Sequence, residues 1–200
     1  SLPVMPIRST IVFPMGVIAI QIGMTHTLEM LAAHPSDPLL VAMVHAGGGP
    51  DEPIDPRKLA KIGVLARVSD RLNLPGGSGQ ATIQGLRRIR LVEVEERAGY
   101  FTAQVREVSE RNANAEENED LIARILVTLE ALAEEVERVS QEVPRILRMN
   151  VADASRFADL VVTLANFSAA DKDKVIQRLD VRSRLRYILQ RLESQLKRAE

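Results

Sequence analysis

The spacing at which apolar residues recur changes about half-way along the chain, and this change constrains the fold more than any other feature. In the first half, a set of apolar residues recurs at every second position, as in 18–22 and 62–68, which is typical of one face of a β-strand. In the second half, apolar residues recur every three or four positions, which is typical of amphipathic helices. The polar segment 110–120 separates the two patterns. We therefore predict an α+β fold with a β unit at 1–110 and a helical unit at 117–200.

Short strand patterns and one short helix fill the predicted β unit. The strand patterns lie at 2–7, 10–13, 17–22, 39–44, 62–74, 81–91 and 101–108. Leu28, Leu31 and Ala32 form the apolar stripe of a short helix. Thr25 or Thr27 is placed to cap its first turn. About six strands with one helix are typical of a small β-barrel or sandwich.

A glycine-rich loop lies inside the segment RLNLPGGSGQATIQGLRRIRL, residues 71–91. A phosphate-binding loop needs a following helix and a Lys-Ser/Thr pair, whereas Gln-Ala-Thr-Ile follows here, without a lysine. Alternating apolar residues flank the loop: Ile62, Val64, Ala66 and Val68 before it, Ala81 and Ile83 after it. Leu72 and Leu74 keep the parity of the first set. We therefore predict a β-hairpin with a loop of about five residues rather than a nucleotide site.

The second half contains a series of helical patterns. The first has its apolar stripe at Leu121, Ile125, Leu129, Leu132, Val136 and Val139. Pro144 suits the first turn of a short helix that ends near Met149. Asp153 is placed to cap a helix that runs through Ala165, and Ser168 is placed to cap the next helix.

The last helix is predicted to begin near Val181. Its apolar seam is Leu185, Leu189, Leu192 and Leu196. Leu185 and Leu189 are expected to pack on the other helices. The seam keeps a period of about 3.5 residues to the end of the sequence, which predicts a helix that continues into a linker. Leu192 and Leu196 are therefore expected to be partly exposed, as candidates for an assembly or linker contact.

Composition excludes several functions. The chain has 200 residues, of which 46% are hydrophobic, and it has no apolar run long enough to span a bilayer. The absence of cysteine excludes disulfides, thiol nucleophiles and cysteine-ligated zinc, and it agrees with a cytoplasmic protein. A net charge of −1 and an aromatic content of 3% argue against a nucleic-acid-binding domain.

The residues that most often perform chemistry do not form a recognisable catalytic or metal-binding pattern. The only histidines are His26, His34 and His45, and no pair of them has the spacing of zinc ligands on a helix. Arg87, Arg88 and Arg90 are the best candidates for a phosphate-binding patch. A solvated strand face is the simpler interpretation, since glutamates follow directly at 93, 95 and 96. The sequence therefore predicts neither catalytic, metal nor cofactor-binding residues.

Three ordered blocks resemble the N-terminal region of Lon-type ATP-dependent proteases. They are LPVMPIRSTIVFPMGVIAIQIG at 2–23, KIGVLARVSDRLNLPGGSGQATIQGLRRIRL at 61–91 and ASRFADLVVTLANFSAADKDKVIQRLDVRSRLRYIL at 154–189. The resemblance implies a PUA-like six-stranded β-barrel with one short helix, followed by a helical subdomain that ends in a long helix. One departure is Met24, where the family often has arginine.

The resemblance also implies a function. The chain would be a non-catalytic domain that captures unfolded, damaged or degron-bearing proteins and supports assembly of a homohexamer. ATP and Mg²⁺ would bind to an ATPase module, and a Ser–Lys pair would cleave peptides in a protease domain, both outside this chain. Two alternatives stay open: a stand-alone Lon-domain binding protein, and an RNA-binding PUA-like module.

Exposed apolar residues are expected where such a domain contacts unfolded chains. The candidates are Met15, Met24, Leu72 and Leu74, which lie near predicted strand ends or the hairpin tip. For each of these residues, packing in the core is the alternative.

Overall fold

The computed structural model describes residues 1–135 and 139–199. The chain divides into two compact units, Ser1–Val108 and Ser109–Glu200. The first unit contains β1 (Leu2–Ile7), β2 (Val17–Ile22), α1 (Thr25–Ala33), β3 (Leu39–His45), a 3₁₀ turn (Pro56–Lys58), β4 (Ile62–Asn73), β5 (Gly79–Glu96) and β6 (Phe101–Glu107). The second contains α2 (Glu119–Glu135), α3 (Glu142–Arg148), α4 (Ala154–Leu164), α5 (Ala169–Gln177) and α6 (Val181–Ala199). The α+β prediction is confirmed.

The six strands form one sheet that closes on itself. The strand order is β2-β5-β4-β3-β1-β6, and β6 pairs again with β5. Five strands therefore form a ring, with β1 and β3 as its one parallel pair. The remaining strand, β2, is antiparallel to the first half of β5 and lies outside the ring.

The middle of β3 is buried on both faces. Along β3, Val41 and Met43 belong to one hydrophobic cluster, whereas Ala42 and Val44 belong to a second one. Met30 of α1 is fully buried in the first cluster. A strand that is covered on both sides needs a continuous apolar run, and the sequence of β3 provides one.

The glycine-rich segment forms the predicted hairpin between β4 and β5. Its loop is closed by a hydrogen bond from the Leu74 N–H to the Ser78 carbonyl, 2.9 Å long. A bulge between Ser69 and Leu72 adds one residue to β4 and reverses the side on which later side chains lie. Leu72 is therefore 59% exposed, although its parity matches the buried residues of β4.

The predicted strand at 10–13 does not form. Val12 and Phe13 are buried, but the chain turns at Pro14, where the Gly16 N–H donates to the Phe13 carbonyl at 2.9 Å. The apolar residues of this segment therefore pack into the core without a strand partner. A buried apolar run is compatible with both outcomes, and for that reason the sequence pattern was misleading.

The predicted caps agree with the structure in the helical unit but not in α1. Met24 is the N-cap of α1 and makes no side-chain hydrogen bond, and Thr27 is buried within the helix. In the helical unit, the Asp153 carboxylate accepts from the Arg156 N–H at 3.0 Å. The Ser168 hydroxyl accepts from the Asp171 N–H at 3.2 Å.

The predicted stripe of the first long helix is longer than the helix itself. Leu121, Ile125, Leu129 and Leu132 are buried on α2, which is described as far as Glu135. Val136 and Glu200 lie outside the described residues. Val139 is buried but belongs to no helix.

The prediction that Leu192 is partly exposed is wrong. Leu192 is fully buried, as is Leu185 two turns earlier, whereas Leu196 is half-buried. The reason is that α2 packs along α6. An ion pair of 2.8 Å between Arg124 and Glu193 joins the two helices beside Leu192.

Because both positions are buried, Leu192→Asp and Leu185→Asp should destabilise the helical unit to a similar extent. Each places a charge in an apolar contact, and each should lower the free energy of unfolding by more than about 3 kcal/mol. Urea unfolding followed by the helical circular dichroism signal measures this loss. Val127→Asp, at a position that is 66% exposed, is the control and should change stability by about 0.5 kcal/mol or less. A cost for Leu192→Asp as small as that of the control would show that the end of α6 is not docked.

A second contact between helices involves Tyr187 and Asp171. The Tyr187 hydroxyl donates to Asp171 at 2.6 Å, and Arg191 lies 3.2 Å from the same carboxylate. Burial raises the pKa of Tyr187 to about 12, and the hydrogen bond and charge of Asp171 add to this effect. Burial opposes ionisation of Asp171, but the Tyr187 hydrogen bond and the Arg191 charge outweigh it, and the pKa of Asp171 is lowered.

Tyr187→Phe should remove a pH-dependent part of the stability. An unfolded tyrosine loses its proton at about pH 10, whereas folded Tyr187 keeps it to about pH 12. The stability that this group contributes is therefore present below pH 10 and lost as pH rises through 12. Spectrophotometric titration of the phenolate measures the pKa directly, because the chain has only 2 tyrosines and the variant removes one. A Tyr187 titration near pH 10 would contradict the prediction.

Candidate functional site

A groove in the first unit lies between α1 and the loop end of the β4–β5 hairpin. Its volume is about 460 Å³. The apolar side chains that line it are Ile22, Leu28, Leu31, Ala32, Pro35 and Leu72. We call it the α1–hairpin groove. It combines the end of β2 and a face of α1, which are adjacent in sequence, with the outward-turned part of β4, which is distant from both.

Gly79 keeps the floor of the groove open. It pairs with Ile22 across the β2–β5 ladder. A Cβ atom at position 79 would lie 3.5 Å from Leu28 Cδ2 and 3.9 Å from Ile22 Cβ. Any longer side chain at this position would therefore occupy space that is now open to a ligand.

Two charged side chains hold the walls of the groove together. The Arg71 guanidinium donates to the carbonyls of Leu31, at 2.9 Å, and of His34 and Ser36. These carbonyls lie at or just beyond the C-terminal end of α1, where backbone acceptors lack partners within the helix. The Asp37 carboxylate accepts from the backbone N–H groups of Asp70 and Arg71, both at 3.3 Å. The bulge in β4 is thus fastened to the end of α1.

The structure separates the four predicted contact residues. Leu72 lines the groove, and Leu74 is half-buried at the start of the hairpin loop. Met24 is half-buried at the N-cap of α1, just beyond the end of β2. Met15 precedes the other end of β2, about 20 Å away along six strand residues.

Sequence reasoning missed the part of the groove that α1 and its following turn provide. Leu28, Leu31 and Ala32 were identified as the apolar stripe of a short helix, and no part in a binding site was predicted for them. In the structure Leu31 is buried in the core and still borders the groove, whereas Leu28 is only half-buried. Pro35, Asp37 and Arg71 had no sequence pattern that pointed to a shared site.

The histidines take part in contacts within the first unit. His26 packs on the Phe101 ring with centroids 4.5 Å apart, and burial lowers the pKa of His26 despite the opposing charges of Glu29 and Glu96. His34 Nδ1 lies 2.8 Å from the Met30 carbonyl oxygen. Within residues 1–135 and 139–199, no group of three or more acidic or histidine side chains is arranged to hold a metal ion.

The three arginines of β5 do not form one solvated face. Arg88 is buried, with only 5% of its surface exposed. Arg87 and Arg90 are exposed, and Arg87 lies 3.4 Å from Glu107. The solvated-face prediction is therefore wrong for Arg88, which extends from the same side of β5 as Arg90 but is covered. None of the helices described is both long and apolar enough to cross a membrane.

Comparison with known proteins identifies the family. The family model described as "ATP-dependent protease La (LON) substrate-binding domain" matches residues 1–194. Among curated relatives, the Lon protease of Dictyoglomus thermophilum is 26% identical over 195 residues, which cover 98% of this chain and 24% of the relative. The Lon protease of Escherichia coli K12 is 27% identical over 198 residues, covering 98% of this chain and 25% of the relative.

Solved structures show the same fold. The N-terminal domain of a Mycobacterium avium complex Lon protease superposes with a TM-score of 0.71 at 24% identity, covering 96% of this chain and 97% of that one. A Lon N-terminal domain protein from Xanthomonas campestris gives a TM-score of 0.57 at 16% identity, covering 94% and 96%.

The chain spans about a quarter of the length of the curated relatives it matches. The family model, in contrast, covers almost all of the chain, including both the strand ring and the helical unit. The chain therefore belongs to the family of Lon protease substrate-binding domains.

Proposed function

We propose that this chain is the non-catalytic N-terminal domain of an ATP-dependent Lon protease, and that its α1–hairpin groove captures unfolded or degron-bearing polypeptides. The observation that carries the proposal is Leu72, which is 59% exposed and yet lines a groove with five other apolar side chains. Unfolded chains display the apolar side chains that folded proteins bury, and such a groove offers them a partner.

The dimensions and charges of the groove support this use. Its volume of about 460 Å³ lies within the usual range of ligand sites, about 300–1,000 Å³. Arg71 and Asp37 are both engaged with backbone groups of the groove walls. The groove therefore presents little free charge, which favours binding to apolar segments of varied sequence over a site specific for one charged ligand.

The remaining parts of the proposal concern other domains. ATP and Mg²⁺ would bind to an ATPase module, and a Ser–Lys pair would hydrolyse peptide bonds in a protease domain. The present chain would deliver substrates to these domains within a cytoplasmic homohexamer and would support its assembly. A stand-alone binding protein is the alternative, whereas the net charge of −1 counts against an RNA-binding module.

Leu72→Asp should weaken binding to unfolded polypeptide about tenfold without unfolding the domain. The change places a charge in the apolar groove, and a tenfold loss corresponds to about 1.4 kcal/mol. Because Leu72 is exposed, its effect on stability should stay below about 1 kcal/mol. NMR titration with a reduced and carboxymethylated protein, which cannot refold, measures the affinity. The same protein in its folded form is the comparison and should not bind.

A matched control is Leu40→Asp. Leu40 is 41% exposed on β3 but does not line the groove, so its replacement should leave the affinity unchanged. Met24→Asp and Leu74→Asp should give intermediate losses, since both residues lie beside the groove rather than in it. Equal affinity of the wild type for the folded and unfolded forms, or equal losses for Leu72→Asp and Leu40→Asp, would refute capture by the groove.

The isolated chain should hydrolyse neither ATP nor peptides. Its sequence has no Walker motif and no serine in a recognisable nucleophile context. Coupled ATPase assays and a fluorogenic peptide assay on the purified chain test this. Turnover that disappears when a residue of this chain is replaced would overturn the prediction.

A further inference from the structure

The outer side of β2 is an open edge of the sheet. β2 pairs with β5 along one side over six consecutive residue pairs, from Val17–Gln84 to Ile22–Gly79. Within the described part of the chain, no strand pairs with β2 along its other side. Each of the other five strands has a neighbour on both sides because the ring is closed, and β5 pairs with β2 as a third neighbour.

The register determines which backbone groups of β2 face outward. The Gly85 N–H donates to the Gly16 carbonyl at 2.9 Å, which marks the first hydrogen-bonded position of this ladder. In an antiparallel pair, hydrogen-bonded and non-hydrogen-bonded positions alternate. Ile18, Ile20 and Ile22 therefore bond to β5. Val17, Ala19 and Gln21 direct their N–H and C=O groups away from it.

This edge lacks the features that normally protect a sheet edge from pairing. Natural edges are blocked by charges, prolines, bulges or a covering segment. The sequence of β2 is Val-Ile-Ala-Ile-Gln-Ile, without a charge or a proline, and its register with β5 is unbroken. Val17 is 60% exposed, and Ala19 and Gln21 are exposed as well.

Met15 adds an apolar contact at the head of this edge. It occupies the third position of the turn 13–16 with φ of 72°, and it is 66% exposed. Glycine or asparagine is favoured in that conformation, and a bulky residue is rare there. The Met15 N–H donates to the Gly85 carbonyl at 3.0 Å, so the turn is fixed to β5 and the side chain is held outside the core.

We infer that an extended segment of an unfolded polypeptide adds to β2 as a further strand. The inference rests on the proposed function and specifies how the substrate is held. Met15 lies at one end of the added strand, and the α1–hairpin groove lies at the other, because Ile22 ends β2 and also lines the groove.

Hydrogen-bond complementarity identifies the occupant. The free N–H and C=O groups of Val17, Ala19 and Gln21 need an extended backbone whose own groups are unpaired. Folded proteins have nearly all such groups paired, whereas unfolded chains do not. Pairing through the backbone is also independent of sequence, and side chains on alternate positions add contacts. Both properties suit a domain that selects unfolded chains of many sequences.

Amide hydrogen exchange of the wild-type chain tests the inference directly. The probe is the same reduced and carboxymethylated protein. At saturation, the amides of Val17, Ala19 and Gln21 should exchange at least tenfold more slowly than in the free chain. The amides of Ile18 and Ile20, which bond to β5, should be protected with and without the probe.

A pair of variants at one position provides the second test. Ala19→Pro removes an outward N–H and leaves the β5 ladder intact, since proline is tolerated at edge positions that face solvent. It should weaken binding of the probe about tenfold, whereas Ala19→Ser, which keeps the N–H, should bind as the wild type does. Circular dichroism and thermal unfolding establish that Ala19→Pro is folded. If it is not, the exchange measurement on the wild type decides.

The outcomes separate the two proposals. If the probe binds but the outward amides stay unprotected, the strand-addition model is overturned while capture by the groove stands. If the probe does not bind to the wild type at all, both proposals fail. If the outward amides become protected with rising protein concentration in the absence of probe, a second copy of the chain occupies the edge, and the inference is overturned.

Discussion

The pairing of β5 with three other strands is the constraint on which the first unit depends. β5 is 18 residues long and bonds to β2 and β4 along its first half and to β4 and β6 along its second. Its register shifts let one strand follow a curved path, and its pairing with β6 closes the ring. Closure gives each of the five ring strands a neighbouring strand on both sides, whereas β2 has a neighbour on one side only among the residues described.

The sequence was sufficient to predict the architecture because that depends on patterns that repeat. The α+β fold, the glycine-rich hairpin and the caps at Asp153 and Ser168 all follow from local rules that the structure obeys. The structure also shows the six strands and the short α1 that the resemblance implied.

Features set by a single residue or by a distant partner could not be predicted in the same way. The bulge that exposes Leu72 adds one residue to β4 without any local mark in the sequence. The burial of Leu192 depends on how far α2 extends along α6, which the apolar seam does not record. The α1–hairpin groove brings together β2, α1 and the hairpin, so its shape depends on tertiary packing that no single segment specifies.

The left-handed backbone conformation of Met15 lowers the stability of the folded chain. For a residue with a Cβ atom, this conformation costs about 1 kcal/mol relative to glycine, and the exposed side chain recovers little of that by packing. Selection for thermal stability alone would favour glycine at position 15. A methionine there makes the chain less stable than a glycine would, and it leaves a large apolar side chain exposed to solvent.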